Sequence, residues 1–202
     1  MSMQRATTYA ALFTTMALLF SACADDPLPK PKGWLRLDLP EQKYMRWQGN
    51  APFTAEVPGY AQLAPRKATG QAKWFDMRFA KQRATVHMTW SAVHGDLPQL
   101  IEDAHTFKKQ HEAKAARIGS ERLLRDSARV FGTFFDVEGD VASPMVFYLT
   151  DSTSNFLYGA LYFDARPNAD SLAPVTERLR TDVRHFAATL AWRSDDPSGA
   201  RP

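Results

Sequence analysis

Histidines, thiols, hydroxyl nucleophiles and paired carboxylates do chemistry only at particular spacings, and here each of those sets is incomplete. The chain carries five histidines, His87, His94, His105, His111 and His185. His111-Glu112 opens like the helix of a zinc protease, which needs a second histidine four residues after the first, but Ala115 stands there. His105 and His111 are six residues apart, which places them on different faces of a helix. His87 falls on the polar side of an alternating strand, His94 in a loop, and His185 beside an apolar helical stripe, a boundary position. The single cysteine, Cys23, excludes an internal disulfide and any cysteine-rich metal site. The sequence holds no Gly-x-Ser-x-Gly elbow, no Ser-x-x-Lys, no phosphate-binding loop and no Gly-x-Gly-x-x-Gly. The adjacent pairs Asp25-Asp26, Glu102-Asp103 and Asp195-Asp196 do not face each other on a helix, or lie in patternless stretches, and read as solvated. No catalytic residue, metal ligand or cofactor is expected.

Two polar or aromatic groups stand out as candidates for contact with a partner. Asp151-Ser152-Thr153 is turn chemistry, either the cap of a hairpin or a partner-binding edge. Trp34, Tyr44 and Trp47 lie in a proline-containing leader outside any clear periodic element. They either lay the leader across the domain or anchor another protein, a role in which Trp and Tyr are prominent.

The elements that would position these residues follow from periodicity. Trp34 to Leu39 alternates and stops at Pro40, an extended edge segment. Prolines and glycines between 51 and 70 allow only short strands. Phe75, Met77 and Phe79, then Val86, Met88 and Trp90, alternate with polar neighbours on either side of Ala80 to Arg83, which predicts a hairpin. Asp96 is the expected N-cap of a helix whose apolar positions are Leu97, Leu100, Ile101, Ala104, Phe107 and Ile118, with Gly119 past its end. Strands are expected over Val130 to Val137, Met145 to Thr150 and Phe156 to Phe163. The last two are apolar on both faces and so need cover on both. A second helix is expected from Asp170 or Ser171 to about Trp192, with Pro174 in its first turn and the stripe Leu172, Val175, Leu179, Val183, Phe186, Leu190. The fold class is therefore α+β: a mostly antiparallel sheet with two main helices packed on it, in a helix–sheet–helix arrangement. One domain is expected over 34–193, followed by a disordered tail at 194–202.

The N-terminus reads as an export address. A polar start with Arg5 precedes an apolar stretch from Tyr9 to Phe20 of about a dozen residues, short of the roughly 20 that a membrane-spanning helix needs. It ends Leu18-Leu19-Phe20-Ser21-Ala22-Cys23, which resembles a bacterial lipobox with Phe20 where leucine is usual. Residues 1–22 are then a lipoprotein signal peptide, Cys23 the lipid attachment site, and 23–33 a proline-rich tether that favours polyproline II. Ala22-Cys23-Ala24 also satisfies the rule for simple secretion, which would release a chain beginning at Asp25, and an uncleaved anchor is a third outcome. The formal net charge of +3 is small and well mixed, with no run of five or six like charges, so a nucleic-acid partner is not expected.

Asp26 to Lys32 followed by Trp34-Leu35-Arg36-Leu37 and Pro40 resembles the gliding motility lipoprotein GldD family. So do Tyr148 to Thr153, Phe156 to Phe163, Pro167 to Leu172, Asp182-Val183-Arg184-His185 and Thr189 to Trp192. Stretches 51–72 and 105–128 add little to the match. The resemblance implies an envelope lipoprotein of the gliding and type IX secretion machinery, membrane-anchored through acyl chains on Cys23, with other envelope proteins of that machinery as partners. It implies no catalytic activity. The expected address is the outer membrane, facing the periplasm. A lipid- or glycan-binding periplasmic module is the second class of function, and an enzyme acting on peptidoglycan the third.

Overall fold

The structure is a computed structural model that describes residues 39–67, 72–112 and 115–193. Cys23, Trp34, the leader strand to Asp38, the signal peptide, the tether and the C-terminal tail lie outside the described residues, as do the side chains of Phe107 and His111. Strands β1 (Tyr44–Trp47), β2 (Phe53–Pro58), β3 (Gln62–Arg66), β4 (Lys73–Phe79) and β5 (Ala84–Ala92) come first. Helix α1 (Leu97–Glu112) follows, then β6 (Arg117–Arg125), β7 (Val130–Glu138), β8 (Met145–Thr150) and β9 (Asn155–Phe163). Helix α2 (Ala169–Thr189) and the short β10 (Ala191–Trp192) end the fold. Seven strands form one antiparallel sheet in the order β3-β4-β5-β9-β8-β7-β6, and β1-β2-β10 form a second. The class is α+β, as the periodicity predicts.

Both faces of the large sheet are apolar at its centre, and different elements cover each. Phe75, Met77, Val86, Phe147, Leu157 and Leu161 face the main core, where Phe53 of β2 and Leu179, Val183 and Phe186 of α2 close over them. The alternate residues Phe156, Tyr148 and Tyr158 face the other way and meet Leu97, Leu100 and Ile101 of α1. The two helices thus lie on opposite faces. Ion pairs reinforce the α2 side: Arg184 meets Glu121 of β6 at 2.8 Å and Asp136 of β7. No helix among the described residues is long and apolar enough to cross a membrane.

Three boundaries differ from the sequence reading. Helix α1 stops at Glu112 instead of reaching Ile118. Arg117–Arg125 is instead a nine-residue edge strand paired along its length with β7, and Arg117 is clamped to Glu138 at 2.6 Å. Its faces are mostly exposed, so alternation is muted. Ile118, which also fits a helical stripe, packs instead against Phe135 and Val146. Pairing decides the conformation that local spacing leaves open. Helix α2 begins at Ala169, capped by the Asn168 side chain on the Ser171 N–H at 3.0 Å, so Pro174 falls in its second turn. It ends at Thr189. Leu190 is extended (φ −60°, ψ 136°) and Ala191–Trp192 pairs with β2.

The 80–83 turn is as expected a hairpin connection. It is a 3₁₀ turn closed by Arg83 in the left-handed region (φ 49°), and the β6–β7 hairpin repeats the device with Arg129 (φ 48°). Asp96 occupies the N-cap position of α1, its carbonyl accepting from the Leu100 N–H at 3.1 Å, while its carboxylate turns back to the His94 N–H at 2.8 Å.

Gly132 shows how closely the sheet is built. A Cβ there would sit 2.1 Å from the backbone oxygen of Tyr148 on β8, which cannot rotate away. Gly132→Ala is expected to cost about 2 kcal/mol and lower the melting midpoint by roughly 4–8 °C, measurable by calorimetry.

Candidate functional site

Asp182 is the most deeply placed charge on α2, with no exposed surface. The Tyr44 hydroxyl donates to its Oδ1 at 2.8 Å and the Tyr60 hydroxyl donates to Oδ2. One turn earlier, Arg178 lies with Nε 3.9 Å from the same carboxylate. Its guanidinium donates to the Tyr60 hydroxyl at 3.3 Å and to the Pro40 carbonyl. The Tyr44 ring stacks on His185 at 3.6 Å and 15°, and His185 Nε2 lies 2.7 Å from Glu56 of β2. These contacts form a clasp that fastens the first strand to the second helix. Burial, then the hydrogen bond and the negative charge of Asp182, push the Tyr44 hydroxyl up to about 12, and the same causes raise Tyr60. Neither phenol ionises near neutral pH, so both stay donors.

Trp47 closes the other end of β1. Its indole N–H donates to the Leu63 carbonyl at 3.0 Å, and its ring meets Phe53 and Phe75 at 5.9 and 6.3 Å. Of the three leader aromatics, Tyr44 and Trp47 therefore turn their polar tips inward, and Trp34 lies outside the described residues. Met45 between them is 56% exposed.

The Asp151 turn is built around one carboxylate. Asp151 Oδ1 accepts from the backbone N–H of Thr153, Ser154 and Asn155 at 2.7–2.9 Å, and Oδ2 from the Asn155 side chain at 2.8 Å. Asn155 in turn accepts from the Trp90 indole at 2.9 Å, and Arg129 donates to the Asp151 carbonyl at 3.1 Å. Ser152, in the left-handed region at φ 70°, and Thr153 face solvent. Among the described residues, no hydrogen bond or ring contact joins this turn to Tyr44 or Trp47.

A third cluster was invisible in the sequence. On the α1 face, the strands β3, β4 and β5 extend past the helix and carry Asp76, Arg66, Arg78 and His87. His87 Nδ1 lies 2.8 Å from Asp76 Oδ1, with Arg66 at 3.4 Å on the same oxygen and Arg78 at 3.2 Å on Oδ2. Burial works to raise the Asp76 carboxyl, but the bonds from His87 and Arg78 and the charges of His87 and Arg66 outweigh it and hold it below the usual range. Asp151 is likewise lowered against its burial, by the N–H groups of its turn. Only the Asp76–Arg78 spacing of two was available to a reader of the sequence; the other partners come from strand register. Tyr60, Asp182 and Arg178 were missed for the same reason, being 118 or more residues apart across the clasp. Among the described residues, no three His, Cys, Asp or Glu side chains converge to hold a metal ion.

Fold and clasp together define an antiparallel α+β domain hung from its N-terminal strand, with its buried carboxylates bound within its own frame. The chain belongs to the gliding motility lipoprotein GldD family, whose sequence profile matches residues 24–192. The match starts one residue after Cys23 and covers every element described above. No match was found among curated proteins. Family membership makes this a lipoprotein of the cell envelope, anchored to a membrane by lipid, with a role in gliding motility.

Two tests follow from the buried groups. Asp182→Ala leaves two hydroxyls without their acceptor and Arg178 without its counter-charge, and is expected to cost about 3–5 kcal/mol, against about 1 kcal/mol for Tyr44→Phe, by urea unfolding. Asp76 and Asp151 titrate below their unfolded value of about 3.9, so their contribution is complete above that pH and is lost as pH falls through the lowered native values. The melting midpoint should hold from about pH 7 to 5 and drop below about pH 4. Asp151→Asn should start lower and lose less over that acid range.

Proposed function

We infer that this lipoprotein is a non-enzymatic component or assembly factor of the machinery that drives gliding and type IX protein secretion. It is lipidated on Cys23, held off the bilayer by the proline-rich stretch 23–33, and docks on other envelope proteins, at the outer membrane on its periplasmic side. The observation that carries this reading is the direction of its buried carboxylates. Asp182 and Asp151, 0% and 8% exposed, accept from groups of the fold itself, so their acceptor capacity braces the structure. An acid–base catalyst needs the opposite, a titratable group aimed at a substrate.

The alternative of a lipid or glycan held between sheet and helix has less support. The aromatics that would line such a cavity, Phe53, Phe75, Phe147 and Phe186, are at most 1% exposed and belong to one packed core, Phe53 on Phe75 and Phe186, Phe147 on Phe134. Ser152, Thr153 and Met45 remain accessible for docking.

The test is capture from native membranes with wild type and Cys23→Ser side by side, with intact mass read on both. Wild type is expected to carry acyl chains and to recover proteins of the secretion machinery, and the variant to lack the lipid and lose most of that recovery. A wild-type chain that begins at Asp25 without lipid would remove the anchor, and recovery of no envelope protein would remove the scaffold role.

A further inference from the structure

Asp76 sits in a row of cross-strand partners that runs Ala64, Asp76, His87, Ala160 over β3, β4, β5 and β9. The two alanines make a low floor on either side of the Asp76–His87 pair. Arg66 and Arg78 stand on the diagonals of that row, each giving a single hydrogen bond to the carboxylate, at 3.4 and 3.2 Å. A guanidinium has five N–H donors. The Asp76 side chain is 5% exposed, whereas those of Arg66, His87 and Arg78 are 45%, 45% and 63% exposed, so the carboxylate is sunk and the basic groups stand over it. Two permanent cations face one anion, which leaves the patch positive even with His87 neutral. The Arg66 guanidinium lies 5.5 Å over the Trp74 ring, and His87 lies 5.7 Å from the ring of Tyr162.

Pairs this exposed contribute only about 0–1 kcal/mol each to stability, so beyond offsetting the burial of Asp76 they add little to the fold. What the arrangement does is hold two guanidiniums and an imidazole in fixed positions beside aromatic surface. That lowers the ordering cost of meeting an anion from outside. Arginine with tryptophan and tyrosine is also the composition of a protein-binding centre.

We propose that the β3–β4–β5 flank of the sheet is a docking site for an acidic segment of a partner protein, with Arg66 and Arg78 gripping its carboxylates and Trp74 and Tyr162, on opposite sides of the Asp76–His87 row, each covering an apolar side chain at one end of that segment. The proposal rests on the scaffold reading and names the chemistry of the partner. Asp76 is a positioning residue: it touches no partner atom and sets where the guanidiniums point.

The test uses the full-length lipoprotein in detergent and a fluorescent peptide with three consecutive acidic residues between two aromatic ones, compared with its amide counterpart. The acidic peptide should bind about tenfold tighter than the amide, and more weakly as salt rises. R66Q and R78Q, made singly so that Asp76 keeps two partners and the sheet its fold, should each weaken it about tenfold. Asp76→Asn should also weaken it while leaving both arginines in place, an effect that a purely electrostatic patch would not show. Equal binding of the two peptides, R66Q and R78Q at wild-type affinity, or displacement by inorganic phosphate at the peptide's own concentration would overturn the proposal. Failure here is separable from failure of the scaffold role. Loss of peptide discrimination with intact capture of secretion proteins places docking elsewhere, whereas a wild type that captures none removes the scaffold reading itself.

Discussion

The constraint on which this structure depends is that β8 and β9 have no wet face. Val146 and Ala160 are as buried on the α1 side as Phe147 and Leu161 are on the α2 side. A sheet with such a centre is stable only if both faces are roofed, and the two roofs are unequal. Helix α2 and the three-stranded sheet form a broad cover that closes the main core. Helix α1 is narrower and packs over β8 and β9, with Val93, Ala104 and Phe156 at its centre. The flank left beyond α1 is polar and charged for that reason, and the Asp76 cluster occupies it.

The broad roof explains why the leader is fastened so firmly. Strand β1 makes one edge of the small sheet, and without β1 the rings of Phe53 and Phe75 would lose Trp47 and the carboxylate of Asp182 would lose Tyr44. A charge with no exposed surface is tolerated only when its lone pairs are filled, and here the filling groups come from the opposite end of the chain. The clasp is therefore both a stabilising contact and the means by which the first described strand becomes part of the domain.

Much of the fold is legible in the sequence because most of its elements are strongly periodic. The α2 stripe from Val175 to Leu190 is buried as its spacing requires, and the alternation in β4 and β5 and the continuous apolar runs of β8 and β9 give the strands within a residue or two. Two kinds of feature resist. Edge strand β6 has no buried position, so its Ile118 fits a helix equally well until the partner strand is known. Polar clusters resist more completely, because Asp76 is read as a wet-face residue by alternation and yet is 4% exposed. Its burial comes from its neighbours across two strand pairings, and no single segment encodes that. The Asp151 turn was the one polar group compact enough to be seen locally, with all of its carboxylate's partners falling within four residues.

The small sheet has a bearing on how the domain is completed. Strand β2 lies between β1 and β10, so residues 53–54 pair with residues 191–192, and the Arg193 N–H donates to the Pro52 carbonyl at 2.8 Å. A chain made N-terminus first presents β2 early and its partner β10 only after every other described element. The far side of β2 stays unpaired until then, and the Phe53 ring waits for Phe186 and Trp192 to enclose it. Closure of this domain thus waits for residues 191–193, and a chain that stopped a dozen residues before Arg193 would leave β2 without its second partner.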